Sequence, residues 1–118
     1  MKYLLCGDPD DRKLVQALER GLPPGSSLEV IAPASFARSW RKKAPGAFVW
    51  LDASCLDEGR VLELGERLRS LEACLWGVAD RKGAIADPAA LFFAWGADYL
   101  GPALFRSPLP PGRLQAAL

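Results

Sequence analysis

The chain has 118 residues, of which half are apolar and a quarter charged, and its net charge is +1. This composition is typical of a single globular domain and excludes an intrinsically disordered chain. The absence of histidine excludes a histidine-dependent hydrolase and a histidine-ligated zinc site. The three cysteines have no Cys-x-x-Cys spacing, and no apolar stretch has the length of a signal peptide or a membrane span. We therefore expect a reduced, cytoplasmic protein that does not enter a membrane.

Short apolar segments alternate with amphipathic segments along the whole chain. The predicted strands are residues 3–6, 28–32, 47–51, 74–79 and 103–106. The predicted helices are residues 11–20 after an Asp10 N-cap, 33–43, 58–72 after an Asp57 N-cap, 88–95 after an Asp87 N-cap, and a last helix from about Pro111. Strict alternation of strands and helices predicts a parallel sheet with helices on both faces.

Residues 47–51 form an unbroken apolar run that ends in a single carboxylate, Asp52. Five apolar residues without alternation predict a strand covered on both faces, as in the centre of a parallel sheet. Ligands of such sheets bind beyond the carboxyl ends of the strands, so Asp52 is either an ordinary turn residue or part of a functional site. Asp8, which lies in the turn Gly-Asp-Pro-Asp-Asp after the first strand, has the same two interpretations.

The order of the elements and several short motifs resemble the receiver domain of two-component response regulators over essentially the whole chain. The motifs are Asp8, Asp52, Gly96-Ala97-Asp98-Tyr99-Leu100 after the fourth helix, and Ser107-Pro108-Leu109 in place of the Lys-Pro-Phe that precedes the fifth helix. The resemblance implies a flavodoxin-like α/β fold whose five-stranded parallel sheet has the order 2-1-3-4-5. It also implies that residues 1–118 are one receiver-like domain, the N-terminal part of a longer signalling protein.

The reaction of that family is phosphoryl transfer to the carboxylate at the position of Asp52, assisted by Mg²⁺ bound to acidic residues. Asp8 matches one acid of the pair that follows the first strand, but Gly7 stands where the other would be. Asp8 and Asp52 together are therefore expected to bind Mg²⁺ weakly, if at all, and no other cofactor is predicted.

Two further positions depart from the family pattern. Val78 occupies the expected position of the serine or threonine hydroxyl, and Ser107 that of the lysine, with Pro102 there in a shifted register. A charge-assisted hydrogen bond is worth about 1.5–3 kcal/mol, so the loss of both donors weakens any phosphoryl adduct substantially. The sequence therefore predicts no stable phosphorylation of Asp52.

These losses predict a pseudo-receiver that is not an enzyme. Such a domain would be a protein-interaction or dimerisation module that regulates an output domain beyond Leu118. In receivers, helix 4, strand 5 and helix 5 form the usual self-association surface, which implies an interface at the following residues: Phe93, Trp95, Tyr99 and Arg106. The run of residues 91–95 also has more apolar side chains than one buried stripe needs, so Phe93 or Trp95 is expected to face outward.

Other partners and functions are weighed against this prediction. The basic cluster in residues 38–43 indicates a solvated helix face, and no nucleic acid is expected to bind. One alternative is an atypical receiver still phosphorylated on Asp52 in a Mg²⁺-dependent phosphorelay. A second is a small flavodoxin-like enzyme or nucleotide binder, which the lack of a glycine-rich phosphate loop disfavours.

Overall fold

The computed structural model of the chain describes residues 2–102, which form five strands and four helices. In chain order these are β1 Lys2–Cys6, α1 Arg12–Arg20, β2 Ser27–Ile31, α2 Pro33–Lys43, β3 Ala47–Asp52, α3 Glu58–Arg69, β4 Leu75–Ala79, α4 Pro88–Trp95 and β5 Asp98–Leu100. Among these described helices, none combines the length and the apolar character that crossing a membrane requires.

The five strands pair in parallel, in the order β2-β1-β3-β4-β5. This arrangement confirms the predicted flavodoxin-like α/β fold. Because all strands run in one direction, their carboxyl ends lie along one edge of the sheet, which we call the carboxyl edge. Asp52 ends β3 there, and Asp8 follows the neighbouring strand β1, as the sequence predicted.

Side chains of the sheet alternate between two core layers, one on each face. One layer packs β-strand residues such as Val49, Leu51 and Trp76 against α2, α3 and α4. The other layer packs Phe48 and Trp50 against α1. Every residue of β3 is buried, which confirms that the apolar run is a central strand covered on both faces.

The close contact between α3 and the sheet depends on Gly65. A Cβ atom at Gly65 would lie 2.3 Å from Cη2 of Trp76, so any side chain there would collide with the indole. The glycine therefore allows α3 to lie directly on the face of the tryptophan, and this contact fixes the helix over β3 and β4.

The helix N-termini agree with the sequence at two of three predicted caps. Asp57 Oδ1 accepts from the amide of Arg60 at 2.8 Å, and Asp87 Oδ1 accepts from the amide of Ala90 at 3.2 Å. The N-cap of α1 is Asp11 rather than Asp10, because Asp11 accepts from the amide of Leu14 at 3.3 Å. The α3 helix ends at Arg69, three residues before the predicted end at residue 72.

The fifth strand differs from the prediction. It is Asp98–Leu100, within the motif after the fourth helix and before the predicted strand 103–106, and its register pairs Tyr99 with Val78. A three-residue strand that begins with a carboxylate contains no apolar run from which a strand could be predicted. The mostly apolar segment 103–106 was therefore predicted to be the fifth strand. The predicted strand 103–106, the helix from Pro111, and the site residues Arg106 and Ser107 all lie outside the described residues.

Candidate functional site

Asp52 is buried at the carboxyl edge, with only 1% of its surface exposed. The β1–β3 register pairs Cys6 with Leu51, so Gly7 is the next residue along β1 beside Asp52. A Cβ atom at Gly7 would lie 2.8 Å from Cβ and 3.0 Å from Oδ2 of Asp52. The side chain of Asp52 therefore occupies the space above Gly7, which is the position where the resemblance leads one to expect a second acid.

The carboxylate of Asp52 is held by the turn that follows it. Its Oδ1 accepts from the amide of Ser54 at 2.9 Å, and its backbone carbonyl accepts from the amides of Cys55 and Leu56. The hydroxyl of Ser54 is also buried, and it has no well-aligned hydrogen bond within the described part of the chain. Burial raises the pKa of Asp52, and the hydrogen bonding from Ser54 offsets this rise only in part.

Asp8 lies at the same edge but is exposed. Its Oδ1 accepts from the amide of Asp10 at 2.9 Å, which makes it the first residue of a local turn. Within residues 2–102, no group of three or more Cys, Asp or Glu side chains could hold a metal ion. Asp8 and Asp52 alone would supply few of the six oxygen ligands that Mg²⁺ takes, so weak Mg²⁺ binding stays a prediction.

An ion pair that the sequence analysis did not find spans the carboxyl edge. Both Nη atoms of Arg81, in the β4–α4 loop, donate to the two carboxylate oxygens of Asp11 at 3.0 and 2.9 Å. The side chains are 29% and 17% exposed, so the pair is partly shielded from water. It brings two opposite charges near Asp52: burial chiefly raises the pKa of Asp52, the charge of Asp11 raises it further, and the charge of Arg81 lowers it by less. Bidentate geometry fixes both side chains, so this pair joins the β1–α1 turn to the β4–α4 loop.

Asp80 is a buried carboxylate at the carboxyl edge whose contacts the sequence did not predict. It is fully buried directly after β4, and its carboxylate accepts from the amides of Ala84 at 2.7 Å and Ile85 at 3.0 Å, and from the hydroxyl of Tyr99 at 2.7 Å. Burial alone would raise the pKa of Asp80, but these hydrogen bonds outweigh it and the pKa lies below its usual value. Asp80 is therefore an ionised anchor that shapes the β4–α4 loop and ties it to β5.

The β3–β4 register shows which β4 residue lies beside Asp52, where the resemblance implies a serine or threonine hydroxyl. Asp52 pairs with Ala79, whereas Val78 pairs with Leu51 and lies in the core layer of α2, α3 and α4. Ala79 lies in the other layer, with Trp50. The β4 residue beside Asp52 is therefore Ala79 and not Val78, because neighbouring residues of a strand point to opposite faces. A methyl group at Ala79 cannot donate a hydrogen bond.

The position of β5 bears on the missing cation. Since β5 ends at Leu100, the residues that directly follow it are Gly101 and Pro102. Of the two residues that the sequence offers for the lysine position implied by the resemblance, Pro102 lies in this segment and Ser107 lies outside the described residues. Neither residue carries a charge. The only cation that the described residues bring against the acidic turn after β1 with bidentate geometry is Arg81, from a different loop.

The predicted interface residues have different environments. Phe93 on α4 is 83% exposed, which confirms that a large aromatic side chain of this helix faces outward. Trp95 is half-buried against the core, and the guanidinium carbon of Arg69 lies 5.4 Å from the centroid of its ring. Tyr99 is also half-buried, and its hydroxyl is directed inward to Asp80.

No protein-family model matches this chain, and comparisons with curated proteins and with solved structures found no significant match either.

Proposed function

We propose that this chain is a receiver-like signalling domain that does not accept a phosphoryl group and acts as a constitutive protein-interaction module. It would work within a cytoplasmic signalling protein and regulate an output domain of that protein. The observation that carries the proposal is the burial of Asp52 against Gly7 at the carboxyl end of β3. The carboxylate lies where the resemblance to receivers leads one to expect the phosphoacceptor. Almost none of its surface is exposed to a phosphodonor.

The surroundings of Asp52 support the loss of phosphoryl transfer. This reaction depends on positioning and on neutralising the charge of the phosphoryl oxygens. The neighbouring β4 residue, Ala79, has no hydroxyl, and Arg81 already gives both of its Nη atoms to Asp11. An arriving phosphate could gain the charge of Arg81 only by breaking that ion pair, and it would also have to displace the side chain of Asp52 from Gly7.

The interaction surface is proposed on α4. Its sequence from Leu91 to Trp95 contains no charged residue, and Leu91 supplies its buried contact with the core. Phe93 presents an aromatic ring on the outer side of the same helix, with Trp95 at the edge of the core layer. Exposed aromatic side chains mark interfaces and carry much of their binding energy.

Chemical modification tests the first half of the proposal. The purified chain is incubated with Mg²⁺ and either beryllofluoride or a small-molecule phosphodonor, beside a phosphorylatable receiver as positive control. Trp50 lies two residues before Asp52 in β3, so its fluorescence reports on the site. We expect no saturable change in fluorescence and no added mass on Asp52. An adduct on Asp52 by mass spectrometry would instead identify an atypical receiver.

Sedimentation tests the second half. Phe93→Ser should weaken self-association of the chain, or its binding to the output domain, because it removes the exposed aromatic ring of α4. Leu75→Ser is the matched control, since Leu75 is also an exposed apolar side chain, at 47%, but belongs to β4 and not to α4. Equal effects of the two substitutions would contradict a specific surface on α4.

A further inference from the structure

A basic groove lies between α2 and α3, and none of the residues that line it belongs to α4 or to the turn after β3. It has a volume of about 340 Å³, and we call it the arginine groove. The residues that line it are Ala37, Arg38, Trp40, Arg41 and Arg67. Three guanidinium groups and one indole thus converge on a single depression of the surface, from two separate helices.

Contacts with neighbouring residues hold much of the groove in place. Trp40 is half-buried and packs against the core layer of α2, α3 and α4. The guanidinium carbon of Arg41 lies 5.1 Å from the centroid of the Trp40 ring, and Arg67 donates to Glu63 Oε1 at 2.9 Å. Side chains that are already oriented lose less conformational entropy when a ligand binds.

The helix dipole does not account for Arg38. Basic residues in the last turn of a helix stabilise its C-terminus, which explains Arg41 in α2 and Arg67 in α3. Arg38 lies more than a turn before the end of α2. Among residues 2–102, no carboxylate lies within ion-pair distance of Arg38 or Arg41. Their charges are therefore available to a ligand.

We propose that the arginine groove binds a short acidic segment of a partner protein. Guanidinium groups bind carboxylates with paired hydrogen bonds, and Trp40 offers an apolar surface beside them. Arg67 is already paired with Glu63, so within residues 2–102 the groove has two guanidinium groups without an ion pair, Arg38 and Arg41. Two such charges match a short segment with a few carboxylates better than a long polyanion, such as a nucleic-acid strand or an anionic membrane. This inference rests on the proposed function only in treating the domain as a protein-interaction module.

A peptide-binding measurement tests this proposal. The probe is a fluorescein-labelled oligoglutamate peptide, with an oligoglutamine peptide of equal length for comparison, and binding is followed by fluorescence anisotropy. We compare the native chain with Arg38→Glu/Arg41→Glu and with Lys13→Glu/Arg20→Glu, which makes the same change of net charge on exposed residues of α1. The groove variant should raise the Kd for oligoglutamate at least about tenfold, and the α1 variant by less than about threefold.

Three outcomes would overturn the proposal: no binding of oligoglutamate, equal weakening by the two charge-reversal variants, or tighter binding of a single-stranded oligonucleotide or phosphatidylserine vesicles. Phe93→Ser separates this proposal from the proposed function. It should leave the Kd for oligoglutamate unchanged while it weakens the contact made by α4. If the native chain does not bind oligoglutamate but Phe93→Ser weakens the α4 contact, the groove proposal alone is refuted. If the native chain binds oligoglutamate but Phe93→Ser has no effect on the α4 contact, the α4 proposal alone is refuted.

Discussion

Asp52 and Gly7 are sterically linked, because the side chain of Asp52 fills the space that any side chain at residue 7 would need. A Cβ atom at Gly7 would lie 2.8 Å from Asp52 Cβ, well inside van der Waals contact. A second acid beside Asp52 and the buried conformation of Asp52 are therefore mutually exclusive in this backbone. The glycine is a structural partner of the carboxylate, and packing alone closes this part of the carboxyl edge.

Gly7→Ala should destabilise the protein. The new methyl group must displace the side chain of Asp52 or separate β1 from β3, and overpacking of this kind costs about 1–3 kcal/mol. The free energy of unfolding measured by urea denaturation checks this value. The double variant Gly7→Ala/Asp52→Ala, which removes the carboxylate from the same space, should be more stable than the sum of the two single substitutions predicts. Strict additivity would contradict the contact.

Asp52→Asn should stabilise the protein at neutral pH. Burial raises the pKa of Asp52 above 3.8, so the folded state binds its proton more tightly than the unfolded state does. The contribution of native Asp52 to stability is therefore fully present below about pH 4 and is lost as the pH rises through the folded-state pKa. Asparagine stays neutral at every pH and keeps an acceptor for the amide of Ser54.

Urea denaturation between pH 4 and pH 8 measures this effect. The stability of Asp52→Asn relative to the native protein should increase over that range, by about 1.4 kcal/mol for each pH unit that separates the two pKa values. A difference that does not change with pH would show that burial does not disfavour the charged carboxylate.

Tyr99→Phe should destabilise the protein and make it more sensitive to acid. The substitution removes one of the hydrogen bonds to the buried carboxylate of Asp80, at a cost of about 1–3 kcal/mol. The pKa of Asp80 is lowered in the folded state, so its contribution to stability is present above about pH 4 and is lost as the pH falls through the folded-state pKa. Without the tyrosine hydroxyl this pKa should rise. Acid unfolding followed by circular dichroism should then begin at a higher pH.

Arg81→Ala should lower the free energy of unfolding by about 1–2 kcal/mol, because the ion pair with Asp11 is bidentate and partly shielded from water. Arg67→Ala is the control, since its pair with Glu63 is exposed and joins neighbouring turns of one helix. Such pairs contribute at most about 0.5 kcal/mol. Equal losses in the two variants would indicate that the carboxyl edge is open to solvent.

The sheet could be predicted because its signals are local. Apolar runs and helix caps such as Asp57 and Asp87 depend on neighbouring residues, and four of the five strands lie within one residue of their predicted bounds. The side-chain contacts around the carboxyl edge could not be predicted in this way, because they join segments that are distant in the sequence. Arg81 and Asp80 occur in a polar loop that reads as an ordinary turn, and their roles depend on Asp11 and Tyr99, which only the folded sheet brings near them.

The two contacts of Asp11 have a consequence for the order in which the chain assembles. Its hydrogen bond to the amide of Leu14 spans three residues, whereas its ion pair with Arg81 spans 70. The local bond can form with the first turn of α1, but the distant one must wait until β4 is in place, because closing a longer loop loses more entropy. Arg81→Ala should therefore accelerate unfolding and leave the folding rate nearly unchanged in stopped-flow experiments. A slower folding rate would mean that the contact between Asp11 and Arg81 already forms in the transition state.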